Sequence, residues 1–202
     1  RAERLTDPGA DETQEPEAWS PTSDILVFSS KRGDHITLWS LSVSQRTTSR
    51  LGDVQSSSRT GAVFSPDGRW LAYASSSASG KTIYVEPFPP TGVKYQLTVR
   101  GARQPNHPLW SADGTELLYN PGPGQFETVR VTTAPFGFGR PASLPRFFPG
   151  AGTQARRPFD GLPDGRFVSP ITASGATVTA GAGHEIRVVL NWFDALTARR
   201  QH

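Results

Sequence analysis

The feature that most constrains this chain is a repeat. The pentapeptide Phe64-Ser65-Pro66-Asp67-Gly68 has a weaker copy before it, Trp19-Ser20-Pro21-Thr22-Ser23, and another after it, Trp110-Ser111-Ala112-Asp113-Gly114, at steps of 45 and 46 residues. A fourth, degenerate copy reads Phe159-Asp160-Gly161-Leu162-Pro163-Asp164-Gly165. In the best-preserved copy Pro66 presets the backbone angle of a tight turn, Asp67 can accept from nearby amides, and Gly68 tolerates the positive φ that closes the turn. After it Trp70, Ala72 and Ala74 alternate with Leu71, Tyr73 and Ser75, the period of a strand.

Each copy continues in the same way. An apolar strand follows the turn (Ile25–Ser30, Trp70–Ser76, Glu116–Tyr119, Arg166–Ser169), then a polar or Gly-containing loop, then a third strand (His35–Ser40, Thr82–Glu86, Thr128–Val131, Glu185–Leu190). Some units add a poorer fourth strand, Arg46–Leu51 and Tyr95–Thr98. Four short antiparallel strands per unit of about 45 residues is the pattern of propeller blades. The expected fold is therefore all-β, a β-propeller segment of about four blades, with blades at 17–52, 62–99, 107–146 and 157–193 and a tail at 194–202. Residues 1–6 read as the outer strand of an earlier blade and residues 7–17 as an acidic loop. Trp19 and Trp110 occupy the position of Phe64 and are expected in the core between blades; Trp39 and Trp70 suit either packing or partial exposure.

Phe64-Ser65-Pro66-Asp67-Gly68, Leu71-Ala72-Tyr73 and Ile83-Tyr84-Val85 resemble the WD40-like (PD40), TolB-type propeller repeat of bacteria. Ile83–Pro89 and Val188–Trp192 are similar to the C-terminal part of propellers found behind bacterial Ser/Thr kinase domains. The resemblance covers about residues 17–195; Thr22-Ser23, Ala112 and the Gly-rich insertion at 174–183 depart from it. It implies a non-catalytic scaffold or sensor binding a protein, a peptide or a glycan, as part of a larger bacterial protein such as a receptor-type kinase, in an extracytoplasmic location, periplasmic or at the cell surface. The alternative is an accessory, substrate-gating propeller of a prolyl-oligopeptidase-type peptidase. Four blades can close on themselves; the resemblance implies a ring of more, completed by upstream sequence or by a second copy, so a homodimer completing the ring is a further expectation.

Composition narrows the chemistry. With 20 Gly, 18 Pro and 35% apolar residues, the 202-residue chain suits a turn-rich β protein. The absence of cysteine removes disulfides, thiolate metal sites and cysteine nucleophiles. No run of 18 apolar residues spans a membrane, and Arg1-Ala2-Glu3-Arg4 opens no secretory signal. The absence of methionine suggests that Arg1 is not a natural start, so the chain reads as a fragment or a processed product. A net charge of +3 comes from scattered arginines rather than a clustered footprint, and no nucleic-acid partner is expected.

No catalytic residue, metal or cofactor is expected. Asp67, Asp113 and Asp164 sit where a turn needs an Asp, and no calcium-loop spacing surrounds them. His35, His107, His184 and His202 lack zinc-site spacing, and there is no nucleophile elbow, Walker loop or Rossmann fingerprint. Loops of a propeller converge at its two faces. Two Arg-rich connections, 100–106 and 146–157, therefore nominate Arg103, Arg156 and Arg157 as a positive face for an acidic partner, with solvated loop arginines as the plainer reading. His107, before Pro108, is placed near a ring face or the central channel, or else in a polar loop.

Overall fold

The computed structural model describes residues 3–78, 80–97, 104–145, 155–162, 164, 166–171 and 185–189, and these are all β. The first sheet runs β1 (Glu12–Trp19), β2 (Ile25–Arg32), β3 (His35–Ser42), β4 (Thr47–Arg50), each antiparallel to the last. The second repeats this with β5 (Val63–Phe64), β6 (Trp70–Ser77), β7 (Gly80–Pro87) and β8 (Tyr95–Leu97). In the third, β9 (Asn106–Trp110), β10 (Glu116–Asn120) and β11 (Phe126–Thr133) are joined by two short strands that share one edge, β12 (Phe136–Phe138) and β13 (Ala142–Leu144). The fourth shows β14 (Asp160–Gly161), β15 (Phe167–Ile171) and β16 (Glu185–Val189). These four meandering sheets are blades of a β-propeller.

The repeated turn works by side-chain bonding to its own backbone. Ser65 Oγ donates to Asp67 Oδ1 at 2.5 Å and accepts from Trp70 N at 3.0 Å, while Arg69 N donates to Asp67 Oδ1 at 3.1 Å. The third blade repeats the set: Ser111 Oγ donates to Asp113 Oδ1 at 2.6 Å, and Thr115 N and Glu116 N donate to Asp113 and Ser111. Ser and Asp in this motif are turn-makers, which is why the repeat keeps them.

Period-2 alternation then sorts side chains to the two faces of each blade. In blade one Val27 and Leu38 face blade two, where they meet Phe64, Leu71 and Tyr73 together with Leu51 and Val54. In blade two Ala72, Ala74, Ile83 and Val85 face blade three and pack on Trp110, Leu117, Tyr119, Val129 and Val131. Leu71, Leu117, Ile83 and Val85 are wholly enclosed. Each such side chain contributes about 1.5–3 kcal/mol of transfer free energy. Toward the outer edge, Trp70, Tyr95 and Phe136 seal the same joint, with the Tyr95 and Phe136 rings 4.0 Å apart and stacked.

Three expectations are corrected. Residues 12–17 of the acidic segment are not loop but part of strand β1 (Glu12–Trp19), which pairs with β2 from Glu12 opposite Arg32 to Trp19 opposite Leu26, so the first blade begins at Glu12 rather than 17. Alternating Glu and Gln there satisfy the partly exposed strand as well as apolar residues do, because Glu12 bonds Ser30 and Gln14. Residues 3–9 form no strand; Thr6 Oγ1 instead donates to Gln14 Oε1 at 2.6 Å. Trp19 is 56% exposed, whereas Phe64 and Trp110 at the same repeat position are 6% and 7% exposed. Phe64 and Trp110 each face the blade before their own; on the matching face of blade one Phe28 and Leu41 are buried and Thr6 bonds Gln14, and the exposed position is Trp19 at the inner end. The stretch 194–202 and residues 98–103, Arg103 among them, lie outside the described residues.

Candidate functional site: an axial cleft between inner strands

The first strands of the four sheets lie side by side, β1 against β5, β5 against β9 and β9 against β14, so they are the inner strands around the propeller axis. A cleft of about 530 Å³ opens along them, lined by Glu15 and Glu17 of β1, Arg59 before β5, His107 of β9, and Arg157 and Phe159 before β14. A second space of about 550 Å³ shares Glu17 and Arg157 with it and continues toward Trp19 and Trp110.

Two of these side chains are aimed inward by bulges. On β1 the pairing passes from Pro16 opposite Phe28 to Ala18 opposite Val27, leaving Glu17 as the extra residue. On β9 the register shifts between Leu109 and Asn106, and His107 there adopts a positive φ of 52°. A bulge turns one side chain out of the alternation and kinks the strand, a common device next to binding sites.

The polar groups engage one another across blade boundaries. Glu17 Oε1 accepts from Thr60 Oγ1 at 2.9 Å and Oε2 from Ala62 N at 2.8 Å, which ties β1 to the entry of β5. Burial pushes the Glu17 carboxyl up, against these donors. Glu15 holds Arg59 through both guanidinium Nη atoms and lies 3.6 Å from Arg156. The hydrogen bond from Arg59 keeps Glu15 below the ordinary carboxylate range. Arg157 donates to the carbonyls of Phe159 and Pro108, both at 2.9 Å, and to Asp160, clamping blade four to β9.

His107 is 4% exposed. Its Nε2 is 2.9 Å from Ala155 O and its Nδ1 is 3.2 Å from Asn120 Oδ1. Burial lowers its pKa, with Lys81 and Arg157 adding to the effect, so at neutral pH the ring is neutral and donates from Nε2 to the Ala155 carbonyl. Both ring nitrogens therefore face framework oxygens rather than the cleft.

Of the expected binding residues, His107, Arg156 and Arg157 converge on this cleft. Arg157 and His107 hold the framework, and Arg156, whose side chain is 68% exposed, is the one with a guanidinium at the surface. Arg103 lies outside the described residues. Sequence reasoning missed Glu15, Glu17 and Arg59. The signal was present, because Pro16-Glu17 precedes Trp19 at the same offset as Gly61-Ala62 precedes Phe64, so aligning the repeat upstream of its aromatic brings Glu15 and Glu17 next to the inner strand.

Among the described residues no group of three or more His, Asp or Glu side chains is placed to hold a metal ion. Ser169, which lines the cleft, donates to Pro158 O at 2.9 Å. What remains for a ligand is an apolar wall of Pro16, Ala62 and Phe159 with the Glu15–Arg156 pair at its edge.

No family model and no curated protein matches the chain. Solved structures do. TolB from Acinetobacter baumannii superposes with a TM-score of 0.62 at 18% identity, over 84% of this chain and 40% of that one. A manganese-bound oligogalacturonate lyase gives 0.58 at 11% identity, over 84% and 50%. The β-propeller domain of the Trilobed protease from Pyrococcus furiosus gives 0.53 at 12% identity, over 89% and 55%. The chain thus spans about half the length of these structures, and at such identities the likeness is one of fold: four blades of a TolB-like β-propeller.

Proposed function

We propose that this chain is a non-catalytic binding module that takes a protein or peptide segment in the axial cleft. The observation that carries this reading is the way the cleft's ionic groups are engaged. Across blade boundaries Glu17 accepts from Thr60 and Ala62, Arg59 donates to Glu15, Arg157 to the Pro108 carbonyl and His107 to the Ala155 carbonyl. They hold the ring's shape and leave a partly apolar concavity, which suits recognition better than proton transfer. Arg156 and Glu15 at the edge offer a charge pair that a polar or acidic segment can open. The resemblance to kinase-linked propellers supports a place in the extracytoplasmic part of a larger bacterial receptor.

The test is selection of displayed random 12-residue peptides on the immobilised chain, with Arg156→Trp, which lays an indole across the cleft, as the counter-selection. Peptides retained by the parent and lost by the variant support the reading. Absence of any variant-sensitive peptide, or turnover of peptide or oligosaccharide substrates by the purified chain, overturns it.

A further inference from the structure

The charged groups lining the cleft do not balance once those committed elsewhere are set aside. Glu17 is held by Thr60 and the Ala62 amide, and burial favours its uncharged form. Arg157 and Asp160 pair with each other. Two guanidiniums, Arg59 and Arg156, then face one carboxylate, Glu15, which leaves an excess of positive charge at the cleft edge. Glu15 also differs from Glu17 in how it is held. Among the described residues no backbone amide or hydroxyl donates to its side chain. Arg59 grips it with both Nη atoms, Nη2 to Oε1 at 3.1 Å, while Arg156 Nη2 stands 3.6 Å from Oε2, too far for a good hydrogen bond. All three side chains are at least partly exposed.

We infer that Glu15 is a built-in stand-in for a carboxylate of the ligand, and that Arg59 and Arg156 form the seat such a carboxylate takes when Glu15 turns out to water. This rests on the reading of the cleft as a peptide site and adds the chemistry of the peptide: a segment bearing Asp, Glu or a free C-terminus. A guanidinium fork matches a carboxylate through two parallel bonds, and Arg59 already presents that fork because Glu15 holds it. The exchange costs little. A partly exposed ion pair is worth a factor of about five or less in an equilibrium, and Glu15 is rehydrated as it leaves. The incoming carboxylate gains the second guanidinium, Arg156, which Glu15 meets only at a distance. It also arrives beside the apolar wall of Pro16, Ala62 and Phe159, on which the rest of the segment packs. Arg157 does not serve in this way, since its donors are engaged by the Pro108 and Phe159 carbonyls. A basic segment would meet only Glu15, which is already paired.

The test takes the displayed peptides retained by the immobilised chain, resynthesises them, and measures their binding by fluorescence polarisation. The proteins compared are the parent, Glu15→Gln, Arg59→Gln, Arg156→Gln and, on β11 away from the cleft, Arg130→Gln. Retained peptides are expected to carry a carboxylate whose loss weakens binding about tenfold. Replacing Asp by Asn or Glu by Gln, against amidating the C-terminus, tells a side chain from a terminus. Glu15→Gln should tighten the acidic peptide by up to about fivefold and leave its amide analogue unchanged. Arg59→Gln and Arg156→Gln should each weaken the acidic peptide alone, and Arg130→Gln should change neither. If Glu15→Gln leaves the acidic peptide's affinity unchanged or lowers it, the inference is overturned. Retained peptides indifferent to their carboxylates overturn it as well; in both cases the cleft remains a peptide site. So do peptides whose Lys or Arg is essential and whose binding falls with Glu15→Gln, which make Glu15 itself the ligand contact. If no peptide is retained, the inference falls together with the reading beneath it.

Discussion

A Cβ placed on Gly68 would stand 2.5 Å from Thr22 Oγ1 and 3.4 Å from Thr22 Cβ, in a residue whose φ is +70°. The turn of blade two is thus pressed onto the turn of blade one. Gly114, its counterpart in blade three, has φ +72° but meets only Pro66, at 3.5 Å, which is ordinary contact. Gly68→Ala combines backbone strain with a clash and should cost about 2–4 kcal/mol, whereas Gly114→Ala should cost about 1 kcal/mol from φ alone. Urea unfolding of the two variants checks the order; equal losses would mean that the turn-to-turn approach contributes nothing.

Tyr73 lies between blades one and two at 1% exposure, and its hydroxyl has no hydrogen-bond partner, as is also true of nearby Glu86 Oε1. Burial, with the Glu86 charge behind it, drives the phenol pKa upward. A buried hydroxyl without a partner contributes desolvation cost and no compensating bond, and blade one uses Phe28 at the equivalent place. Tyr73→Phe is therefore expected to hold or raise stability by up to about 1 kcal/mol. A loss larger than that in calorimetry would show the hydroxyl to be satisfied in solution.

The pH response follows from His107. Its folded pKa is lowered, chiefly by burial, so the unfolded chain binds the proton more readily. Its contribution is complete above the ordinary histidine value and is lost as pH falls from about 6.5 through the lower folded value. The melting temperature of the parent should drop between pH 7 and 5 more steeply than that of His107→Gln. Parallel pH profiles for the two would contradict this assignment.

Glu15 and Arg59 make a partly exposed, two-pronged pair joining blade one to the entry of blade two. A double-mutant cycle with Glu15→Gln and Arg59→Gln should give a coupling of about 0.5–1 kcal/mol, reduced in 0.5 M salt. Arg156→Ala, at the exposed edge, should leave stability within about 0.5 kcal/mol. If Arg156→Ala destabilises as much as breaking the Glu15–Arg59 pair, Arg156 belongs to the framework rather than to the ligand edge.

The contrast between Trp110 and Glu17 shows what the sequence could and could not convey. Trp110, like Phe64, sits at a position defined by period and turn chemistry, and both the strand and its burial follow from local rules that repeat about every 45 residues. Glu17 owes its place to a bulge, an extra residue that appears only when β1 is paired with β2, and its partners Thr60 and Ala62 come from the next blade. The acidic composition of residues 11–17 masked a strand because its polar side chains are satisfied by Ser30, Thr60 and Arg59, none of them local in sequence. Trp19 failed the rule for the opposite reason. Its local signals match those of Trp110, and its exposure depends on what stands beside the blade.

The bulges at Glu17 and His107 have a consequence for how such a propeller diversifies. An inner strand pairs on only one side within its own blade, so a single inserted or deleted residue there redirects what points at the axis while the middle strands keep their register. Recognition at the axis can therefore change by one-residue length differences upstream of the aromatic, with the joints between blades left intact. Proteins built on this repeat should vary in length at the two or three residues before the Trp or Phe far more freely than in the seven or eight after the turn.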